Sequence, residues 1–179
     1  MDKSTDKTYY VLSSGAKLGF ALVAFLTIMY MTGQLLESQL TSLSWLIYIA
    51  VIYLTMKGFR DKCNEGFLTY GQGLVFGLKI SALSGIFVGL FYFILMSYID
   101  PDFREAMIAV AEEAALAMGL PESQVEQMRP SFEMTTNPWL MLFSNMLSGL
   151  FNGTLISLVV AAFVKRKGDP FQEVMRNVE

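Results

Sequence analysis

The sequence predicts an all-α integral membrane protein: a four-helix bundle with a helical extracytoplasmic loop and a short C-terminal amphipathic helix. Three observations predict it. Of 179 residues, 54% are hydrophobic and the mean hydropathy is +0.46, more apolar than an average soluble domain. Apolar runs recur between short charged segments, and the longest exceed the ~20 residues that cross a ~30 Å hydrocarbon core. Ten of the 13 basic residues fall in 3–17, 57–62 and 165–176, leaving Arg104 and Arg129 in another segment and Lys79 inside an apolar run. By the positive-inside rule both termini are cytoplasmic and residues 100–137 are exterior. Four spans satisfy this pattern, at about 16–36, 43–57, 70–99 and 138–164, in a single domain over 1–179 with a cytoplasmic tail from 165.

Each element has its own warrant. Residues 1–14 are polar, and Tyr9 and Tyr10 read as interfacial aromatics leading into the first span. Residues 16–36 are apolar apart from Lys17, Thr27 and Thr32. The run is long and no A-x-A-like site follows Gln34, so it reads as a retained helix rather than a secretory signal. A turn without basic residues at 37–41 precedes the second span, where Trp45 and Tyr48 begin an aromatic belt. The third span stops at Asp100-Pro101, a cap followed by a first-turn proline. Phe103, Met107, Val110, Ala114 and Met118 then recur at helical spacing, predicting a buried face. Gly119 ends that helix, and residues 121–128 predict a second one closed by Arg129-Pro130. Asn137-Pro138-Trp139 repeats the cap-plus-proline device for the fourth span. Beyond it Gly168 breaks the helix, and Phe171, Val174, Met175 and Val178 give a short amphipathic face that lies on the membrane or covers the end of the bundle.

Two features of the third span carry most of the functional interest. Gly73, Gly77, Ser81, Gly85 and Gly89 recur every fourth position, a spacing that lets two helix backbones approach closely. The stripe serves either packing within one bundle or a tight seam between two copies. Lys79 points roughly opposite Gly77 and Ser81, since each residue turns the helix by about 100°. It lies roughly 13 Å into the hydrocarbon if the helix enters at Tyr70. An ionisable group that deep is a candidate for a substrate, ion or proton role. The bland alternative is snorkelling, because helical side chains lean toward the N-terminus, here the nearer interface. On the fourth span Asn145, Ser148, Gly149, Asn152, Gly153 and Ser157 form one stripe by spacing. Asn152 lies at a depth similar to Lys79, so Lys79, Asn145 and Asn152 read as a polar path, or the amides as glue between helices.

The remaining inventory excludes more than it offers. A single cysteine, Cys63, rules out an intrachain disulfide framework and reads as an inert thiol. The absence of histidine removes the commonest general base and metal ligand. No phosphate-binding loop, zinc-protease motif or nucleophile elbow occurs, and the spans hold no carboxylate pair. The exterior segment carries Asp100, Asp102, Glu105, Glu112, Glu113, Glu122, Glu126 and Glu133. Such oxygen ligands suit Ca²⁺ or Mg²⁺, yet no glycine-containing calcium loop is present and a solvated acidic cap is the plainer reading. We therefore expect no catalytic residue, no cofactor, no metal and no nucleic-acid partner. The expected surroundings are the lipid bilayer and either a homo-oligomer or a membrane-protein partner.

Several short motifs in series resemble a known family. Phe59-Arg60-Asp61, a glycine and Tyr70-Gly71-Gln72-Gly73 lead into the third span, and Tyr98-Ile99-Asp100-Pro101-Asp102 closes it. An acidic helical loop and a final span ending in Lys165-Arg166-Lys167 follow. The series resembles a bacterial family catalogued as domain of unknown function 4199, over nearly the whole chain. That resemblance implies a four-span inner-membrane protein typical of Bacteroidota, with no established activity and no catalytic residue to transfer. Two functions stay open: a non-enzymatic structural or interaction protein presenting its exterior cap, or a small transporter or channel component using the polar path.

Overall fold

The computed structural model describes residues 3–36, 40 and 42–166, with side chains described from residue 6 onward. The amphipathic tail expected beyond Gly168 and most of the 37–41 turn lie outside the described residues. Six α-helices are found among those described: α1 (Lys3–Met31), α2 (Ser44–Cys63), α3 (Tyr70–Ile94), α4 (Phe103–Ala117), α5 (Glu122–Thr135) and α6 (Pro138–Val164). A π-helical turn, Leu95–Ile99, extends α3, with the Asp100 N–H donating to the Leu95 carbonyl at 2.7 Å.

Three helical stretches are long and apolar enough to cross a membrane: Asp6–Met31, Tyr70–Ile99 and Pro138–Val164. The last two coincide with expectation, but the first begins about ten residues before the predicted boundary at 16. Nothing in 3–15 breaks a helix, and Tyr10 is held against Phe59 and Phe76 at ring centroid distances of 6.0 and 6.3 Å. Gly33, with φ of +72°, turns the chain after Met31, short of the expected end at 36. α2 does not reach the length and apolarity of the other three, because Lys57, Arg60, Asp61 and Lys62 fall inside its 20 residues.

Packing sets the directions of the helices. On α1, a Cβ at Gly15 would stand 2.8 Å from Leu83 and one at Gly19 2.7 Å from Phe87, so α1 and α3 lie close and parallel. α2 returns antiparallel alongside α1: Lys7 bonds Asn64 at its far end and Gly58 abuts the Tyr10 hydroxyl. α6 runs antiparallel to α3, matching Gly73 with Ala161 and Gly89 with Leu142. α3 thus packs parallel to α1 on one side and antiparallel to α6 on another. One core cluster, including Leu18, Ile52, Met56, Phe76 and Ile80, fills the end with the basic residues. A second, including Leu26, Leu95, Met96 and Phe103, fills the other. Outward faces carry Phe20, Leu54, Leu147, Phe151 and Phe163, all more than half exposed, an apolar belt suited to lipid rather than water.

Each end is closed by specific caps. At the basic end Thr69 and Gln72 make a capping box for α3, and Leu68 and Arg166 exchange two backbone hydrogen bonds of 2.9 Å. Arg60 donates to the Val164 carbonyl at 3.1 Å, placing a cation on the last turn of α6. At the other end Asn137 accepts from Trp139 and Leu140 N–H groups, as its cap-plus-proline motif predicts. Asp100 accepts from the Phe103 N–H at 3.2 Å and from the Tyr30 hydroxyl at 2.9 Å.

Residues 100–137 fold as a helical hairpin of α4 and α5. Gly119, with φ of +86°, closes α4: the Gly119 N–H donates to Leu116 and the Leu120 N–H to Ala115, a Schellman ending. Two expectations need correcting here. α5 does not stop at Arg129-Pro130 but continues through Pro130 to Thr135, since ion pairs of Arg129 and the Arg104 contact at Glu133 hold its last turns in place. The buried face of α4 is Phe103, Ile108 and Ala115, while Val110 and Met118 are exposed. Neighbours distant in the chain chose that face: Phe103 packs against Tyr30 of α1 within the second core cluster.

Candidate functional site

Three places on this framework hold the residues singled out from the sequence. The first is the seam between α3 and α6. Gly73, Gly77, Ser81, Gly85 and Gly89 are all buried, and each faces α6 of the same chain. The hydroxyl of Ser157 fills the notch that a Cβ at Gly77 would need, and Ser81 fills the matching notch at Gly153. Gly-xxx-Ser on one helix thus meets Gly-xxx-Ser on the other, reversed. Closer to the acidic end, a Cβ at Gly85 would lie 2.9 Å from the Asn145 carbonyl, and one at Gly89 2.7 Å from the Leu142 carbonyl. This answers the alternative of a seam between two copies: the stripe is already occupied by α6. Small-residue contact supplies van der Waals packing where lipid gives no hydrophobic drive between helices.

The structure does not bring Lys79 together with Asn145 and Asn152. Asn145 donates to the Met141 carbonyl of its own helix at 2.8 Å. Of the predicted stripe on α6, Gly149, Gly153 and Ser157 are buried, Asn145 and Asn152 are half-buried and Ser148 is exposed. Lys79 lies on the side of α3 away from α6, exposed, in a groove to which α6 contributes no lining residue. A turn of about 200° between Gly77 and Lys79 is the physical reason. The helix that packs on one cannot reach the other.

The second place is that groove, at the basic end between α1, α2 and α3, with a volume of 390 Å³. Phe59, Phe76, Val11 and Val75 provide apolar walls, and Phe59 stacks on Phe76 at 4.6 Å. Lys7 and Lys79 both open into it. Near its mouth the Lys7 ammonium donates to Asn64 Oδ1 at 2.8 Å, and Asn64 donates to Gln72 Oε1 at 3.2 Å. Beside it, the hydrogen bond from Arg60 lowers the Asp61 carboxyl below the usual carboxylate range. Burial pushes the Cys63 thiol up, which disfavours the thiolate and reactivity.

The third place was not legible beforehand. Arg129 gathers three carboxylates, Glu112 at 2.9 Å, Glu105 at 2.8 Å and Glu133 at 3.3 Å, joining α4 to α5. Its guanidinium is raised above its ordinary value, first by the hydrogen bond to Glu112. Arg104 donates to the Glu133 carbonyl at 2.7 Å, so both arginines of the hairpin act as clamps within it. The i, i+4 spacing of Arg129 and Glu133 was a readable signal; the pairs across the hairpin were not. Among the described residues no group of three or more potential ligands is arranged to hold a metal ion, and three of the segment's eight carboxylates, those of Glu105, Glu112 and Glu133, pair with Arg129.

Comparison with known families adds one match. The profile described as protein of unknown function (DUF4199) covers residues 14–166 of the chain. The chain belongs to the DUF4199 family. The matched region runs from Ser14 within α1 to the Leu68–Arg166 bridge and takes in the α3–α6 seam, the hairpin and the α2 and α3 walls of the groove, while Lys7 and Val11 precede it. Among curated proteins and among solved structures nothing matches this DUF4199 member.

Proposed function

We propose that the chain is a non-enzymatic, four-span protein of a bacterial inner membrane, with both termini cytoplasmic, that displays its α4–α5 hairpin outside for a protein partner. The hairpin carries the reading. Arg129 ties its two helices together, and Val110, Leu116, Met118 and Met134 on its surface are each more than 40% exposed beside the exposed carboxylates of Glu113, Glu122 and Glu126. Apolar side chains rimmed by charge are the surface chemistry of an interaction site.

The four-span topology draws support from helix direction. α1 and α3 are parallel neighbours, so the chain must return through the bundle between them, and α2 is the segment available. Its 20 residues span roughly 30 Å. Among the described residues Lys7, Lys57, Arg60, Lys62, Lys165 and Arg166 lie toward one end of this arrangement, which supports the orientation.

The test uses single cysteines in a Cys63→Ser background in intact cells. Glu113→Cys is expected to react with a membrane-impermeant thiol reagent without permeabilisation, and Lys57→Cys only after it; the reverse pattern would overturn the topology. A photo-crosslinker at Met118 should give a discrete adduct with another protein. Adducts no different from those formed at Phe163, on the lipid-facing belt, would overturn the partner reading.

A further inference from the structure

We propose that the groove between α1, α2 and α3 is a binding site for an anionic phospholipid, with the phosphate between Lys7 and Lys79 and an acyl chain against Val11, Val75 and Phe76. Charge complementarity and depth point to this occupant. Both lysines open into one 390 Å³ groove, with Asn64 and Gln72 as its other polar lining and Val11, Val75, Phe59 and Phe76 as its apolar walls. Gly15 against Leu83 and Gly19 against Phe87 set α1 and α3 in constant register. The same register brings Val11 level with Lys79 and Lys7 level with Val75, one helical turn, or roughly 6 Å, nearer the basic end. The Lys79 stem leans toward that end, so its ammonium rises toward the level of Lys7.

The charge state of the groove needs an anion. Among the described residues no carboxylate pairs with Lys79, and Lys7 spends one donor on Asn64. A cation carried several ångströms below the interface is costly unless something neutralises it, and the headgroup phosphate of a lipid is the anion at the interface toward which the Lys79 ammonium rises. Free phosphate supplies the charge but not the apolar part that would cover Val75, which is 49% exposed. Gly71 keeps the groove open: a Cβ there meets no atom within 4 Å. The first turn of α3, with its N–H groups beside the groove, adds to the attraction for an anion. Basic pockets between spans are a general solution for binding anionic headgroups.

The full-length protein in nanodiscs, probed with spin-labelled phosphatidylglycerol against spin-labelled phosphatidylcholine, tests the assignment. The native chain should retain the anionic lipid preferentially, and Lys79→Met and Lys7→Met should each reduce that preference about five-fold. Lys79→Arg should keep it. Gly71→Leu, which preserves every charge and fills the open mouth, should reduce it as well, and Lys17→Met, outside the groove, should not. The proposal is overturned by undiminished preference in the Lys79→Met, Lys7→Met double variant, by an equal loss in Lys17→Met, or by displacement of the lipid with inorganic phosphate, which would make the groove an anion site. None of these readouts involves the hairpin, so failure here and failure of the partner reading remain distinguishable.

Discussion

The α3–α6 seam and the α4–α5 hairpin join helices by opposite means. Along the seam, glycines let carbonyls and Cα atoms of the facing helix approach to where a Cβ would collide, as at Gly85, Gly89 and Gly149. In the hairpin, one guanidinium reaches three carboxylates that keep partial contact with water. The difference follows from the solvent each region expects. Inside a bilayer there is no hydrophobic gain from bringing two apolar helices together, so close packing over a long seam must supply the attraction. Outside it, charged pairs are tolerated, each is worth little, and the junction can yield locally without opening the bundle.

That contrast breaks first at the seam. Gly85→Leu drives a side chain into the Asn145 carbonyl and the Met146 backbone, and backbone cannot yield as a flexible side chain does. The destabilisation should exceed the ~1–3 kcal/mol of ordinary overpacking, read as loss of the folded species in thermal unfolding in detergent. Gly71→Ala, on the same helix but facing open space, should be neutral or stabilise by up to ~1 kcal/mol. Equal behaviour of the two variants would dissolve the distinction between seam and surface.

A smaller effect is expected at the hairpin. Arg129→Ala leaves Glu105, Glu112 and Glu133 without their common partner; the arginine side chain is 41% exposed, so the loss should be held to about 1 kcal/mol by solvent screening. It should appear as faster amide exchange in 103–135 while α3 and α6 keep their protection, and Arg129→Lys should restore little because an ammonium lacks the planar fork. Faster exchange spreading equally into α6 would show that the hairpin is instead a structural part of the bundle.

The smallest effect sharpens the account of the seam itself. Ser81 and Ser157 bury hydroxyls without a hydrogen-bond partner among the described residues. If their size alone matters, Ser157→Ala should leave stability unchanged or raise it by up to ~1 kcal/mol, since an unsatisfied hydroxyl is removed. A loss in the same unfolding measurement would mean that the hydroxyl bonds across the seam.

Local chemistry made much of this legible in the residue string. The cap at Asn137, the glycine ending at Gly119, the span from Tyr70 and the small-residue spacing are determined within a few residues of themselves, as is the Thr69–Gln72 capping box, which was not among the motifs singled out from the sequence. The separation of Lys79 from the glycine stripe also followed from helical rotation alone. Three-dimensional pairing decided the rest. Which helix covers the stripe, which face of α4 is buried, how far α5 runs past Pro130 and where α1 begins all depend on neighbours distant in the chain. Arg129 shows the same division: its charge is written in the sequence, while its three partners are set by the fold of the hairpin. The physical reason is that caps and turns act over one helical turn, whereas a groove, a seam or a clamp exists only once helices far apart in sequence have closed the loops between them.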